Sequence, residues 1–124
     1  MRGFLILLCL AGFALAQVRF VRVLDAPDYA YGRAIAAMPD GGFAVAGETS
    51  GGPGLWDMIV SRFDSSGNQL WTRALGGMGY AHVYVQDVLA TTGGDILVVG
   101  AAQPASDTTD DALVSRFDSS GNHL

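Results

Sequence analysis

The chain reads as an all-β protein: two four-stranded antiparallel blades of a β-propeller with an incomplete ring, preceded by a signal peptide. Three observations predict this. The stretch Asp57–Leu70, DMIVSRFDSSGNQL, returns as DALVSRFDSSGNHL at Asp111–Leu124, with eleven of fourteen positions identical at a spacing of 54 residues (111 − 57). The remainder of each period consists of short apolar runs bounded by Gly, Pro, Asp and Thr, the pattern of strands and reversals. No segment of helical period follows residue 16. A repeat of ~40–50 residues with four strands per unit marks a propeller blade. A β-sandwich is the alternative, but it would not need strands recurring in groups of four.

The elements follow in order. Met1-Arg2 is a short basic start, Phe4–Leu10 is apolar, and Ala14-Leu15-Ala16 is a small-x-small cleavage site before Gln17. That is a secretory leader, since the apolar run falls short of the ~20 residues a membrane span needs. Cys9 lies within it, behind Leu8, where a lipoprotein signal would carry a small residue. Repeat 1 occupies 17–70 and repeat 2 occupies 71–124. In repeat 1, strands are predicted over 17–24, Tyr31–Met38, Phe43–Gly47 and the run beginning at Asp57. The polar loop Asp25–Ala30, the turn Pro39–Gly42 and the loop Glu48–Trp56 join them. Asp64-Ser65-Ser66-Gly67-Asn68 closes a hairpin: its carboxylate can accept from backbone N–H groups just downstream, and Gly67 supplies a positive φ. Gln69–Leu75 resumes as a strand. Repeat 2 keeps this order through Tyr84–Ala90, the turn Thr91–Gly94, Ile96–Gly100, the loop Ala101–Asp110 and the Asp111 strand. FAVAG and ILVVG are apolar throughout, as expected of sheets covered on both faces. Repeat 2 stops one residue before the Trp that follows Leu70 in repeat 1, so the sequence predicts a truncated unit.

Composition narrows the function classes. Removal of the leader leaves 108 residues (124 − 16) with no cysteine, which excludes thiol catalysis and cysteine-ligated metals. Seven Arg and no Lys stand against twelve acids, a net charge of −5. That balance argues against nucleic acid and anionic membrane as partners. The expected location is outside the cytoplasm (periplasmic, secreted or cell-surface), after cleavage following Ala16, with no membrane span in the mature chain.

The pattern carried by Tyr31, Asp40-Gly41-Gly42-Phe43, Gly47, Asp57, Phe63-Asp64, Gly67-Asn68, Leu70-Trp71, Arg73 and Gly76-Gly77 resembles the β-propeller repeats of exported bacterial proteins, the delta-60 and SBBP tandem-repeat groups. The resemblance covers essentially the whole mature chain and implies a propeller, not an activity. The Asp64, Gly67 and Trp71 core also looks like the tryptophan-docking motif of quinoprotein-like propellers, but departs from it by one residue between Asp and Gly. A quinoprotein dehydrogenase would further need a vicinal cysteine pair and metal ligands that this chain lacks.

No catalytic constellation is visible, and no cofactor or metal site is predicted. Asp64 and Asp118 sit among oxygen donors, but the alternating ligands and closing Glu of a calcium loop are missing. His82 and His123 share no repeat position, and neither is expected beside a nucleophile. Arg62 and Arg116 are expected as surface ion pairs with acidic turns, and Trp71 as packing between blades. With four antiparallel strands per unit, the tight turns fall at one end and the longer connections at the other. The long connections carry the candidate ligand contacts Trp56, Tyr80, Asp107 and Asp110 and most of the unpaired acids, and Trp56 is the expected anchor. The function expected is a non-catalytic binding or structural module of an exported protein. Its partners are missing blades, or further copies through open sheet faces, and a protein or glycan ligand. The alternatives are the N-terminal part of a propeller enzyme whose active residues lie in missing blades, and a gene fragment without independent function.

Overall fold

The computed structural model describes residues 23, 28–52, 55–77 and 79–124; the expected leader and nearly all of the strand expected over 17–24 lie outside them. The described residues form two antiparallel sheets and no helix. Sheet 1 has the order β1 (Ala30–Ala37), β2 (Phe43–Thr49), β3 (Asp57–Phe63), β4 (Gln69–Leu75). Sheet 2 has the order β5 (Tyr80–Ala90), β6 (Ile96–Pro104), β7 (Asp111–Phe117). The second unit thus shows three strands among the described residues, followed by an isolated antiparallel bridge between Phe117 and His123. The sheets divide at 76–79, so β4 closes sheet 1, whereas the repeat division at 70/71 falls inside the β3–β4 hairpin.

The turns account for the repeated DSSGN. Asp64 Oδ1 accepts from the amides of Ser66 and Asn68, both at 2.9 Å, while Oδ2 accepts from Asn68 Nδ2. Asp118 repeats these contacts with Ser120 and Asn122. Gly67 and Gly121 hold φ of 80° and 85°. Both repeats also share a β-bulge, between Gly32 and Ala34 in β1 and between Val85 and Asp87 in β5. A Cβ on Gly47 would lie 1.9 Å from the Tyr31 carbonyl oxygen, and one on Gly100 1.8 Å from that of Tyr84. Only glycine fits where the bulge presses one strand onto the next. That is the physical reason for a Gly at the end of both FAVAG and ILVVG.

The two sheets stack face to face. Sheet 1 offers small side chains on its inner face, Ala34 and Ala36 from β1 and Ala44 and Ala46 from β2, beside Met58 and Val60 from β3. Sheet 2 answers with Val83, Val85 and Val88 from β5, Ile96 and Val98 from β6, and Phe117 from β7. Branched side chains on one face fill the space left by alanines on the other, which gives close packing. β5 makes most of this contact, against β1, β2 and β3.

Several sequence expectations are corrected here. β2 runs on through Glu48 and Thr49, β5 begins at Tyr80, and β6 extends to Pro104, all read from sequence as loop. Coverage on both faces fits β3, which is buried throughout. It fails for β6, where Val99 is exposed while its neighbour Val98 is buried. Antiparallel pairing of successive strands puts the tight turns at one end and the connections 50–56, 76–79 and 105–110 at the other.

Candidate functional site

The expected contact residues lie around the loop end, and the structure gives each a different setting. Residues 55–56 lead into β3 and pair with the free edge of β5. The amides of Leu55 and Trp56 donate to Ala81 O at 2.8 and 3.2 Å, and Val83 N donates to Trp56 O at 2.8 Å. Two residues further along that edge, Val85 N donates to Glu48 Oε1 at 2.9 Å. An edge strand presents unpaired N–H and C=O groups at every second residue. Here the edge groups of Ala81, Val83 and Val85 are satisfied by a borrowed backbone segment and one carboxylate.

Glu48, which the sequence places at the start of a loop, stands instead in β2. It is buried, bonded to β5, and paired through Oε2 with Arg33 Nε and Nη2 at 3.0 and 2.7 Å. The pairing holds the Arg33 guanidinium above its ordinary pKa, through the hydrogen bond first and the charge second. No single-residue signal in the sequence distinguishes this carboxylate from a solvated one.

Above this joint stands an aromatic group. Trp56 is half-buried, its ring 5.6 Å from Tyr31 and tilted by 36°, and the Arg33 guanidinium lies over Tyr31 at 5.5 Å. His82 stacks on Tyr84 at 5.7 Å, and the His82 Nδ1 atom is shielded from solvent without a hydrogen-bond partner. Tyr31 and Tyr80 are exposed. Tyr80 opens β5, its amide donating to Gly77 O at 2.6 Å, and Ala105 N donates to Gly79 O, so the loop after β6 folds beside it. Asp107 lies in that loop with its carboxylate accepting from the amides of Thr108 and Thr109. Those bonds, led by Thr109, hold Asp107 below the ordinary carboxylate value. Asp110 is exposed at the entry to β7. Trp56 thus joins Tyr31, while Tyr80 lies near the Asp107 loop.

The tight-turn end is spent on joining the sheets. Arg62 Nη1 donates to Ser119 O at 2.7 Å, Trp71 Nε1 donates to the same oxygen at 3.0 Å, and Arg73 Nε donates to Gly121 O at 3.0 Å. Three donors of sheet 1 clamp the DSSGN turn of sheet 2. Arg62 also holds Asp40 Oδ2 at 2.6 Å. It was expected as a surface ion pair and is buried instead, because its guanidinium is sandwiched at the joint. Arg116 forms the expected pair with Asp95. Trp71 lies between the sheets, 6.2 Å from Phe117. A cleft of about 340 Å³ opens between the turns at Ala37–Pro39 and Ala90–Thr92, at the end opposite Trp56.

One contact runs against the reading of His123 as remote from any nucleophile. Ser115 Oγ lies 2.9 Å from His123 Nε2. Its setting is structural: Ser115 is buried on the inner face, and the same repeat position, Ser61, pairs with Thr72 Oγ1 at 2.6 Å. A hydroxyl pair in one repeat and a hydroxyl–imidazole pair in the other do the same cross-strand work. Among the described residues no group of three or more His, Cys, Asp or Glu is placed to hold a metal. No described helix is long and apolar enough to cross a membrane. A scan of protein-family models and a search of curated proteins both returned no match to this chain.

Proposed function

We propose that this chain is a non-catalytic β-propeller repeat module of an exported protein, with its loop end as the contact surface for a protein or glycan. The observation that carries the reading is the division of labour between the two ends. At the turn end, carboxylates, amides and guanidinium groups are consumed in closing hairpins and clamping one sheet to the next. At the loop end, Tyr31 stands exposed beside half-buried Trp56, and Tyr80 is exposed at the start of β5. Aromatic side chains with one accessible face are the usual anchors of ligand and partner surfaces, and a rigid sheet scaffold leaves its connecting loops free to vary.

Export rests on the Met1–Ala16 pattern, and secreted material beginning at Gln17 by intact mass is its check. The contact surface is tested by screening the chain against a glycan array and a panel of extracellular proteins. Any ligand found is then mapped by hydrogen exchange. Protection at 28–33, 55–56 and 79–82, with binding weakened at least tenfold by Tyr31→Ala, is the expected result. Protection confined to 37–42 and 90–95 refutes the assignment.

A further inference from the structure

The interface between the two sheets has two halves: the sheet-1 half occurs a second time, uncovered, on sheet 2, and the β5 part of the other half occurs a second time, uncovered, on β1, whereas Phe63, the equivalent of Phe117, is buried. Sheet 1 contributes Ala36, Ala44, Ala46, Met58, Val60 and Arg62. The repeat equivalents in sheet 2 are Leu89, Leu97, Val99, Ala112, Val114 and Arg116, and they lie on the face of sheet 2 that turns away from sheet 1. Val60 is wholly buried, whereas Val114 is 72% exposed; Leu89 is 61% exposed. Beside Ile96, Val98 and Phe117, sheet 2 contributes β5 through Val83, Val85, Val88 and Ala90. Their equivalents in β1 are Ala30, Gly32, Ile35 and Ala37, all exposed, Ile35 by 68% where Val88 is buried.

The polar clamp is duplicated as well. Arg62 pairs with the turn acid of its own sheet through Nη2 and spends Nη1 on Ser119 O of the next. Arg116 pairs with Asp95, the turn acid of its own sheet, through Nε and Nη2. Its side chain is 54% exposed, against 10% for Arg62. The residue equivalent to Ser119 is Ser65, exposed at the tip of the first DSSGN turn.

We infer that the outward face of sheet 2 docks the β1 side of a second copy of this chain, head to tail, with Arg116 reaching the Ser65 carbonyl of that copy. The occupant is a second copy because this chain carries both complementary surfaces, and the packing of one on the other is already seen between its own sheets. Such an interface is heterologous: one copy presents Val114 and Arg116, the other Ile35 and Ser65. Repetition gives a closed ring or an open filament according to the rotation per step. An isologous pairing of two sheet-2 faces would instead set Arg116 and Val114 of each copy against themselves and leave Ile35 unused.

The test is sedimentation velocity of the purified chain over a hundredfold concentration range, with Val114→Asp, Ile35→Asp and Arg116→Ala. Both Asp substitutions are at exposed positions, and an unchanged far-ultraviolet β spectrum reports that each variant is folded. The wild-type chain is expected to sediment as concentration-dependent oligomers. Val114→Asp and Ile35→Asp are each expected to be monomeric alone, and their mixture to form a discrete one-to-one dimer, because each retains the surface the other lacks. Arg116→Ala should raise the dissociation constant about tenfold or more. A wild-type chain that stays monomeric throughout overturns the proposal. So does an Ile35→Asp chain that associates as well as wild type, the result expected of an isologous pairing. A mixture of the two Asp variants that fails to dimerise overturns it equally.

Discussion

Glu48 tests most directly whether the joint between sheets depends on the capped edge of β5. Its Oε1 is the acceptor for Val85 N, and Oε2 holds Arg33. In Glu48→Ala the Val85 N–H remains at a buried position with no acceptor, which costs about 1–3 kcal/mol. Loss of the buried Cγ methylene adds about 0.8 kcal/mol. The expected destabilisation is therefore roughly 2–4 kcal/mol. In Glu48→Gln the amide oxygen can still accept from Val85, but the amide nitrogen stands where Oε2 accepted from Arg33, so both hydrogen bonds to that guanidinium are lost with the charge. Because the Arg33 side chain is half-exposed, water replaces what it loses, and Glu48→Gln should be the milder of the two variants. Urea denaturation gives the comparison, with midpoint shifts converted through a common slope. Amide exchange at Val85 should accelerate in Glu48→Ala but not in Glu48→Gln. If the two variants are equally destabilised, the charge pair matters and the edge cap does not, and the reasoning fails.

Other expectations concern the turn and the clamp. A Cβ on Gly121 would sit 2.7 Å from the Trp71 ring and would also meet a φ of 85°, so Gly121→Ala should cost about 1–2 kcal/mol for the backbone alone and more once Trp71 shifts. A red-shifted Trp emission should accompany the loss seen in chemical denaturation. Arg62→Lys should restore little of what Arg62→Ala loses, because a single ammonium cannot hold Asp40 and the Ser119 carbonyl in the planar geometry seen here; paired denaturation curves would show it. Asp118 is held below its ordinary value of 3.8, first by the Asn122 side chain and then by the Asn122 amide. A depressed carboxylate contributes stability that is present above its unfolded value and lost as pH falls through the folded one. NMR titration should place Asp118 below 3.8, and Asn122→Ala should move it back upward.

The strands most legible in the sequence are those next to residues with unambiguous turn chemistry. Asp64–Asn68 and Asp118–Asn122 fix the hairpins because carboxylate, glycine and amide each have one role there, and β4 follows over the expected Gln69–Leu75. Strand ends that extend into the joint were not legible. Tyr80–His82 and Ala101–Pro104 carry no period-2 pattern and are rich in small or special residues, yet they pair with each other across the β5–β6 ladder. Trp56 was not legible as a bridge, although its backbone groups, pairing with Ala81 and Val83, hold β5 in place. The most informative feature was the repeat itself. Compared position by position, it distinguishes a residue that is exposed because its face is uncovered from one exposed by composition.

The same comparison ranks the two interfaces. Between the sheets of one chain, packing, clamp and edge cap act together. The proposed contact between copies would lack the edge cap, because repeat 2 carries Ala101 where repeat 1 has Glu48, and Asp110 where it has Trp56. The edge amide awaiting a cap is that of Gly32, the equivalent of Val85, and it lies on exposed β1. Association between copies should therefore be weaker than packing within a chain, and restoring the cap should strengthen it. Ala101→Glu alone should not suffice: Glu48 is buried beside Arg33, whereas the matching bulge residue in repeat 2 is Gln86. A carboxylate buried without its cation costs more than it returns. The double variant Ala101→Glu/Gln86→Arg supplies both partners. A hydrogen bond to a charged group is worth about 1.5–3 kcal/mol, or roughly ten- to a hundredfold in dissociation constant. Sedimentation of wild type, single and double variants decides it. Only the double variant should associate more tightly; equal behaviour of all three would show that the cap seen at Val85 has no counterpart between copies.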